Sequence, residues 1–162
     1  MADEPGFLIR RAVEQDAEAL GRLGAHLMRV HYGYDPARFL PPGGNPEAGY
    51  GRFLQSQLRD DDTIVLVAEK GGSVVGYVCA GLEPLSWKEL RGACGFIHDV
   101  VVDEPGRRLG IATALIEAAA DWLRGRGAPR VVLWTAERNE GAQRLFDRLG
   151  FRRTMIEMTR EL

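Results

Sequence analysis

His98 and Asp99, side by side in one apolar run, are the pair in this chain best suited to take up a proton near neutral pH. Imidazole is poised for that by its ordinary pKa, and a carboxylate joins it when its surroundings raise its own. The run Phe96-Ile97-His98-Asp99-Val100-Val101-Val102 is rich in β-branched residues and predicts a buried strand. Strand alternation sends adjacent side chains to opposite faces, so only one of the pair is expected in any one cleft. The turn Asp103-Glu104-Pro105-Gly106 ends the strand, and Arg107-Arg108-Leu109-Gly110-Ile111-Ala112-Thr113 opens a helix. Ile111, Leu115, Ile116, Ala119, Trp122 and Leu123 give that helix its apolar face. A helix starting at a glycine-bearing loop presents unsatisfied backbone N–H groups and the positive end of its dipole, a site for phosphate or pyrophosphate. The plainer alternative is a strand–turn–helix whose glycine only relieves crowding.

Two common phosphate loops do not fit. No Gly-x-x-x-x-Gly-Lys-Ser/Thr string is present, and a dinucleotide loop would need three glycines after an early strand. Arg107-Arg108-Leu109-Gly110-Ile111-Ala112 instead matches Arg/Gln-x-x-Gly-x-Gly/Ala, the acetyl-CoA pyrophosphate loop. On these residues the chain resembles the GCN5-related N-acetyltransferase (GNAT) family. A second stretch, Asn139-Glu140-Gly141-Ala142-Gln143-Arg144-Leu145-Phe146-Asp147-Arg148-Leu149-Gly150-Phe151, resembles the family's Asn-x-x-Ala-x-x-Leu-Tyr-x-x-x-Gly-Phe segment. The two matches lie in the family's order and spacing.

The resemblance implies acetyl-CoA as acetyl donor, no metal, and a small-molecule amine as acceptor, with a homodimer as an open option. It implies that backbone N–H groups from Arg107 through Thr113 hold the pyrophosphate. A bulge in the family's fourth strand would leave main-chain groups of Val100, Val101 and Val102 for pantetheine and the thioester carbonyl. Asn139 would bind the cofactor arm, although the same residue also reads as a plain helix N-cap. The arylalkylamine N-acetyltransferases carry a histidine at the step matching His98, and other members place a carboxylate at one or the other step. His98 is therefore the first candidate base and Asp99 the second. The chain departs from the pattern at Phe146, where many members have a tyrosine that protonates the departing thiolate. A phenyl ring has no proton to give, so another group supplies it or the thiolate leaves unprotonated, tolerable for a thiol of pKa about 8.5. The ribosomal-protein branch has a glutamate where this chain has Trp134, which argues against that branch.

A base is needed because an alkyl amine of pKa about 10.4 is neutral roughly once in 2,500 molecules at pH 7. Tyr32, Tyr34 and Trp87 are candidates to line an acceptor pocket. His26 and His31, five apart, have poor spacing for a shared metal face and read as surface or packing residues. Glu137 with Arg138 reads as a solvated charge pair. The rival to a transferase is a CoA-binding sensor or regulatory module, which Phe146 favours; a peptide or protein acetyltransferase is a further alternative. A nucleotide-binding regulatory domain would need a base-recognition element that the sequence lacks.

The elements that must position these residues follow from periodicity. Phe7–Arg11 reads as a strand, and Asp16–His31 as a helix with Asp16 at its cap. Pro and Gly residues between Pro41 and Pro46 exclude regular structure, and a second helix is expected over Pro46–Leu58. Thr63–Lys70 and Ser73–Leu82 are strands joined at Gly71-Gly72, a hairpin signal. After the central strand and helix come a strand at Val131–Thr135, a helix at Asn139–Leu149 and a last strand at Phe151–Leu162. The order β-α-α-β-β-β-α-β-α-β describes an α/β protein of the α+β type: the GNAT fold, a mixed sheet of six to seven strands flanked by about four helices.

At 162 residues the chain is most simply one N-acetyltransferase domain over residues 1–162. A formal net charge of −2 gives no general attraction to nucleic acid or anionic membrane. Cys79 and Cys94 sit in apolar contexts that suit reduced, buried thiols. No apolar run approaches 18 residues, and the acidic start Met1-Ala2-Asp3-Glu4-Pro5-Gly6 lacks the basic region of a signal peptide, so a cytoplasmic protein is expected.

Overall fold

The computed structural model describes residues 6–162, so all but the last residue of the acidic start lies outside the described residues. The chain runs β1 (Leu8–Arg11), α1 (Ala17–Tyr34), α2 (Pro46–Gln57), β2 (Thr63–Lys70), β3 (Ser73–Glu83), β4 (Cys94–Val102), α3 (Ile111–Gly125), β5 (Val131–Leu133) and α4 (Glu140–Arg148). The strands form one mixed sheet in the order β1-β2-β3-β4-β5. Every pairing is antiparallel except β4 with β5, which is parallel.

Alternation along β2 and β3 divides the core. Val65, Val67, Tyr77 and Cys79, with Val101 of β4, pack on Leu20, Leu23 and Leu54 of α1 and α2. Ile64, Leu66, Val78, Ala80 and Ile97 pack on Ile111, Leu115, Ile116, Ala119 and Leu123 of α3, with Phe146 of α4. Apolar residues thus cover both faces of the sheet, as expected when helices flank it.

Three expectations need correction. Among the described residues the sheet has five strands, not six to seven, because Phe151–Leu162 forms no strand. Phe151 packs beside Phe146, ring centroids 5.8 Å apart, but Met155, Ile156 and Met158 beyond it are exposed. Alternation marks which side chains share a face and does not supply a neighbouring strand. This segment is held instead by side chains: Arg153 Nη2 donates to Gln143 Oε1 at 2.6 Å, and Arg38 pairs with Glu157. Second, α1 continues to Tyr34, a turn past His31. It ends where Asp35, ahead of Pro36, turns extended at φ −154° and ψ 95°, as a residue before proline prefers. Third, Asp16 makes no side-chain cap to α1. Its carboxylate turns back to accept from the Val13 backbone N–H at 2.8 Å and from both terminal nitrogens of Arg10 at 2.7 and 2.9 Å.

Candidate functional site

The pairing of β3 with β4 slips at one point. Asp99 lies opposite Cys79 and Ile97 opposite Ala80, leaving His98 without a cross-strand partner. That extra residue is a β-bulge, which disturbs alternation locally and re-aims side chains. Ile97 faces α3. Asp99 faces the other way, where its Oδ2 accepts from the hydroxyls of Tyr50 on α2 at 2.7 Å and Tyr77 on β3 at 3.0 Å. His98 stacks on Phe96 with centroids 4.8 Å apart and planes 17° apart. Phe96, the neighbour of Ile97 in regular strand, turns to the face opposite Ile97, and His98 follows it. The bulge therefore puts His98 and Asp99 on the same face of the sheet, contrary to simple alternation.

The surroundings of the two differ. His98 is 41% exposed, and its Nε2 lies 3.2 Å from Glu83 Oε1 at the end of β3. An Nε2–H directed at Glu83 leaves the Nδ1 lone pair available. Burial pushes the Asp99 carboxyl above its ordinary value, while the two tyrosine hydroxyls, and then His98 and His31, act to lower it. Burial, reinforced by the Asp99 charge, raises both the Tyr50 and Tyr77 phenols, so they stay protonated as donors. The same two causes push the Cys79 thiol up to about 12.

Tyr50 reaches Asp99 through a contact made by Gly24 of α1. A Cβ on Gly24 would lie 2.0 Å from Cδ1 of the Tyr50 ring, so only hydrogen fits beside it. Beyond Glu83, a cavity of about 240 Å³ is lined by Glu83, Glu89, Arg91, Phe96, His98 and Trp134.

The outer edge of β4 opens beside the bulge. Its pairing with β5 stops at Ile97 opposite Leu133. The Asp103 N–H donates to Val75 O at 2.9 Å, which fixes the direction of the last strand residues. By the two-residue period Val101 turns its main chain to β3, and Val100 and Val102 turn theirs to the side that β5 has left. At the end of this edge α3 begins. Its N-cap Gly110 sits at φ +79° with no side-chain cap. The Ala114 N–H donates to Gly110 O at 3.0 Å, leaving the N–H groups of Ile111, Ala112 and Thr113 as the orphans of the first turn. A Cβ at Gly110 would meet nothing within 4 Å. The glycine is there for its left-handed backbone, not to relieve crowding. Arg108 is also left-handed at φ +62°, and Arg107, Arg108 and Leu109 are all exposed.

Other residues singled out by the sequence fall elsewhere. Asn139 caps α4, its Oδ1 accepting from the Ala142 N–H at 3.2 Å, which leaves the amide nitrogen and the second lone pair of Oδ1 for other partners. Phe146 is buried in the α3 core. Trp87 is exposed, and neither it nor Tyr32 or Tyr34 lines the cavity. His26 is exposed; His31 packs on Tyr34 and Phe39, and its Nδ1 lies 2.9 Å from Leu27 O. Arg138 is no simple solvated pair with Glu137, because its Nη1 donates to Tyr34 O at 2.9 Å. Among the described residues no group of three or more His, Cys, Asp and Glu is placed to hold a metal ion. No described helix is long and apolar enough to cross a membrane.

Residues 30–151 match the model of the Acetyltransferase (GNAT) family. The chain belongs to that family. It is 39% identical over 99 residues to an uncharacterized N-acetyltransferase of Methanocaldococcus jannaschii, covering 61% of this chain and 43% of that protein. To a mycothiol acetyltransferase of Cellulomonas flavigena it is 30% identical over 159 residues, covering 95% of this chain and again 43% of the relative. The chain thus spans less than half the length of either. Among solved structures, a mutant Bacillus halodurans protein superposes with TM-score 0.81 at 24% identity, covering 96% of this chain and 99% of that one. An aminoglycoside N-acetyltransferase in complex with CoA superposes with TM-score 0.72 at 18% identity, covering 100% and 98%. These superpositions establish the GNAT fold.

Sequence reasoning missed Tyr50, Tyr77, Glu83, Glu89, Arg91 and the cavity role of Phe96. Of the cavity lining the sequence singles out His98, as a candidate base, and Trp134, as a departure from a family pattern.

Proposed function

We propose that residues 1–162 form one N-acetyltransferase domain that moves an acetyl group from acetyl-CoA to the primary amine of a small molecule by direct attack in a ternary complex. The observation that carries this reading is the bulge at His98, which sets an imidazole and a carboxylate on one face beside an opened β4 edge. The uncapped start of α3 fits a pyrophosphate, and the outward main-chain groups of Val100 and Val102 fit an extended amide chain. Acetyl-CoA, when bound, supplies an activated thioester carbonyl. The residues from Arg107 through Thr113 would hold its pyrophosphate, and the Asn139 amide nitrogen would reach its arm.

A backbone N–H at the opened edge would donate to the carbonyl oxygen as negative charge grows on it, a contribution of about 3–4 kcal/mol for one good donor. His98, oriented by Glu83, would take the proton that the amine sheds, directly or through one water. Asp99 would hold negative charge beside the incoming ammonium and stands as the second candidate base. The amine nitrogen bonds to the acetyl carbon, the carbon–sulfur bond breaks, and the pair leaves on sulfur. The names of the mycothiol and aminoglycoside acetyltransferase relatives support a small-molecule acceptor.

The test is thiol release from acetyl-CoA with a panel of amines between pH 6 and 9. Amine-dependent turnover whose acid limb disappears in His98→Ala and survives in Asp99→Asn is the expected result. The reverse pattern would move the base to Asp99. Phe146 favours a second reading, a CoA-binding sensor, because no hydroxyl stands at that position to protonate a leaving thiolate. Tight acetyl-CoA binding without turnover on any amine would support the sensor.

A further inference from the structure

We infer that the acceptor carries a second cationic group, and that Trp134 with Glu83 and Glu89 receives it in the cavity beside His98. This inference rests on the acetyltransferase reading above and adds a substrate class to it, short diamines and related polyamines.

The cavity is contiguous with the candidate base, since His98 and Glu83 both line it. Its remaining wall is a row of rings. Phe96 lies between, 4.8 Å from His98 and 5.2 Å from Trp134 by ring centroids, so at most about 10 Å separates the base from the indole. Phe96 is 6% exposed, whereas Trp134, edge-on to it with planes 88° apart, is 68% exposed and so the more open ring of the lining. An indole face is the preferred aromatic surface for an ammonium.

Charge points the same way. Glu83 and Glu89 contribute two carboxylates. Arg91 is the one arginine in the lining; its terminal nitrogens hydrogen-bond within the loop between β3 and β4, while its buried Nε has no partner. Nη2 donates to Glu89 at 2.7 Å, and Nη1 donates to Pro84 O, Gly92 O and Cys94 Sγ at 3.0–3.2 Å. With His98 neutral, the lining therefore carries one net negative charge. An acceptor with a carboxylate at this distance from its amine would be repelled, and one with a second ammonium would be attracted. The reacting amine must be neutral to attack, so the charge that binds here has to be a different one on the same molecule.

The experiment uses the full chain and acetyl-CoA with length-matched pairs, n-butylamine against 1,4-diaminobutane and n-pentylamine against 1,5-diaminopentane. Thiol release gives kcat/KM for each. The diamine of each pair is expected to be better by about 10-fold, mainly through KM, which corresponds to about 1.4 kcal/mol. That ratio should fall toward one in Trp134→Leu and in Glu89→Gln, with retained thermal midpoints showing that both fold. Equal kcat/KM within the matched pairs, or a ratio unmoved by Trp134→Leu, would overturn this inference and leave the acetyltransferase reading standing. Turnover of no amine by a protein that binds acetyl-CoA would overturn both.

Discussion

Gly24→Ala tests the link between helix packing and the candidate site. The added methyl carbon would sit 2.0, 2.5 and 2.7 Å from Cδ1, Cγ and Cε1 of Tyr50, inside any real contact distance. The ring has little room to slide. It packs edge-on to Phe53 at 5.6 Å, and its hydroxyl is fixed to Asp99 at 2.7 Å. Displacing it costs about 1–3 kcal/mol in overpacking. Losing the hydrogen bond to a carboxylate costs about 1.5–3 kcal/mol more. Alanine's advantage over glycine inside a helix returns about 0.5–1 kcal/mol, for a net loss of roughly 2–5 kcal/mol. Gly33→Ala is the internal control. It lies on the same helix with nothing within 4 Å of its Cβ position, so only the backbone effect acts and stability should rise by about 0.5–1 kcal/mol. Urea denaturation of both variants reads the opposite signs. Tyr50→Phe separates the two costs of Gly24→Ala, since it removes the hydroxyl and keeps the ring. Because that hydroxyl lowers the Asp99 pKa, its loss should raise it further. A Gly24→Ala protein as stable as the parent would refute the packing argument.

Three further outcomes follow from the same coordinates. Asp16, 8% exposed and held below its ordinary pKa first by the hydrogen bonds from Arg10, should cost about 2–4 kcal/mol when changed to Asn. Its stabilisation is present above the unfolded pKa of about 3.9 and is lost as pH falls through the lower folded value, so urea curves of parent and Asp16→Asn should converge in acid. Gly110→Ala should lose about 1–2 kcal/mol, because alanine pays for the left-handed backbone, and it should weaken acetyl-CoA binding in calorimetry. Cys79 and Cys94 are both free and buried, and Cys79 is held protonated, so a thiol reagent at pH 8 should label neither until denaturant is added.

Much of the frame was legible in the residues. The bounds of β2 and the Gly71-Gly72 hairpin follow from alternation and turn chemistry, and α3 from its apolar stripe. What escaped was set by partners far along the chain. Phe151–Leu162 has the pattern of a strand, yet nothing in that pattern reports whether β5 will pair with it. Asp16 has the type and position of a helix cap, but Arg10 offers its carboxylate a charged partner in the other direction. Nothing around Tyr50 in the sequence marks the bond its hydroxyl makes to Asp99, 49 residues further on.

The same nonlocality decides the site. Whether His98 and Asp99 share a face depends on one extra residue in β4, counted against Cys79 and Ala80 of β3. Read from β4 alone, period-two alternation separates the pair; read from the ladder, the bulge unites them. The bulge also lies next to the point where β5 stops pairing, so altered side-chain direction and an unpaired main-chain edge arise together. The bulge thus lies where an imidazole and a stretch of β4 left unpaired by β5 meet. Neither would be useful without the other: a base needs a bound carbonyl within reach, and a held thioester needs an amine that has lost its proton. Deleting His98 would restore the regular ladder with Asp99 still opposite Cys79 and Ile97 still opposite Ala80, so each would keep its present face. The expected result is a protein that still folds, read by its thermal midpoint, and that loses amine-dependent thiol release as His98→Ala should.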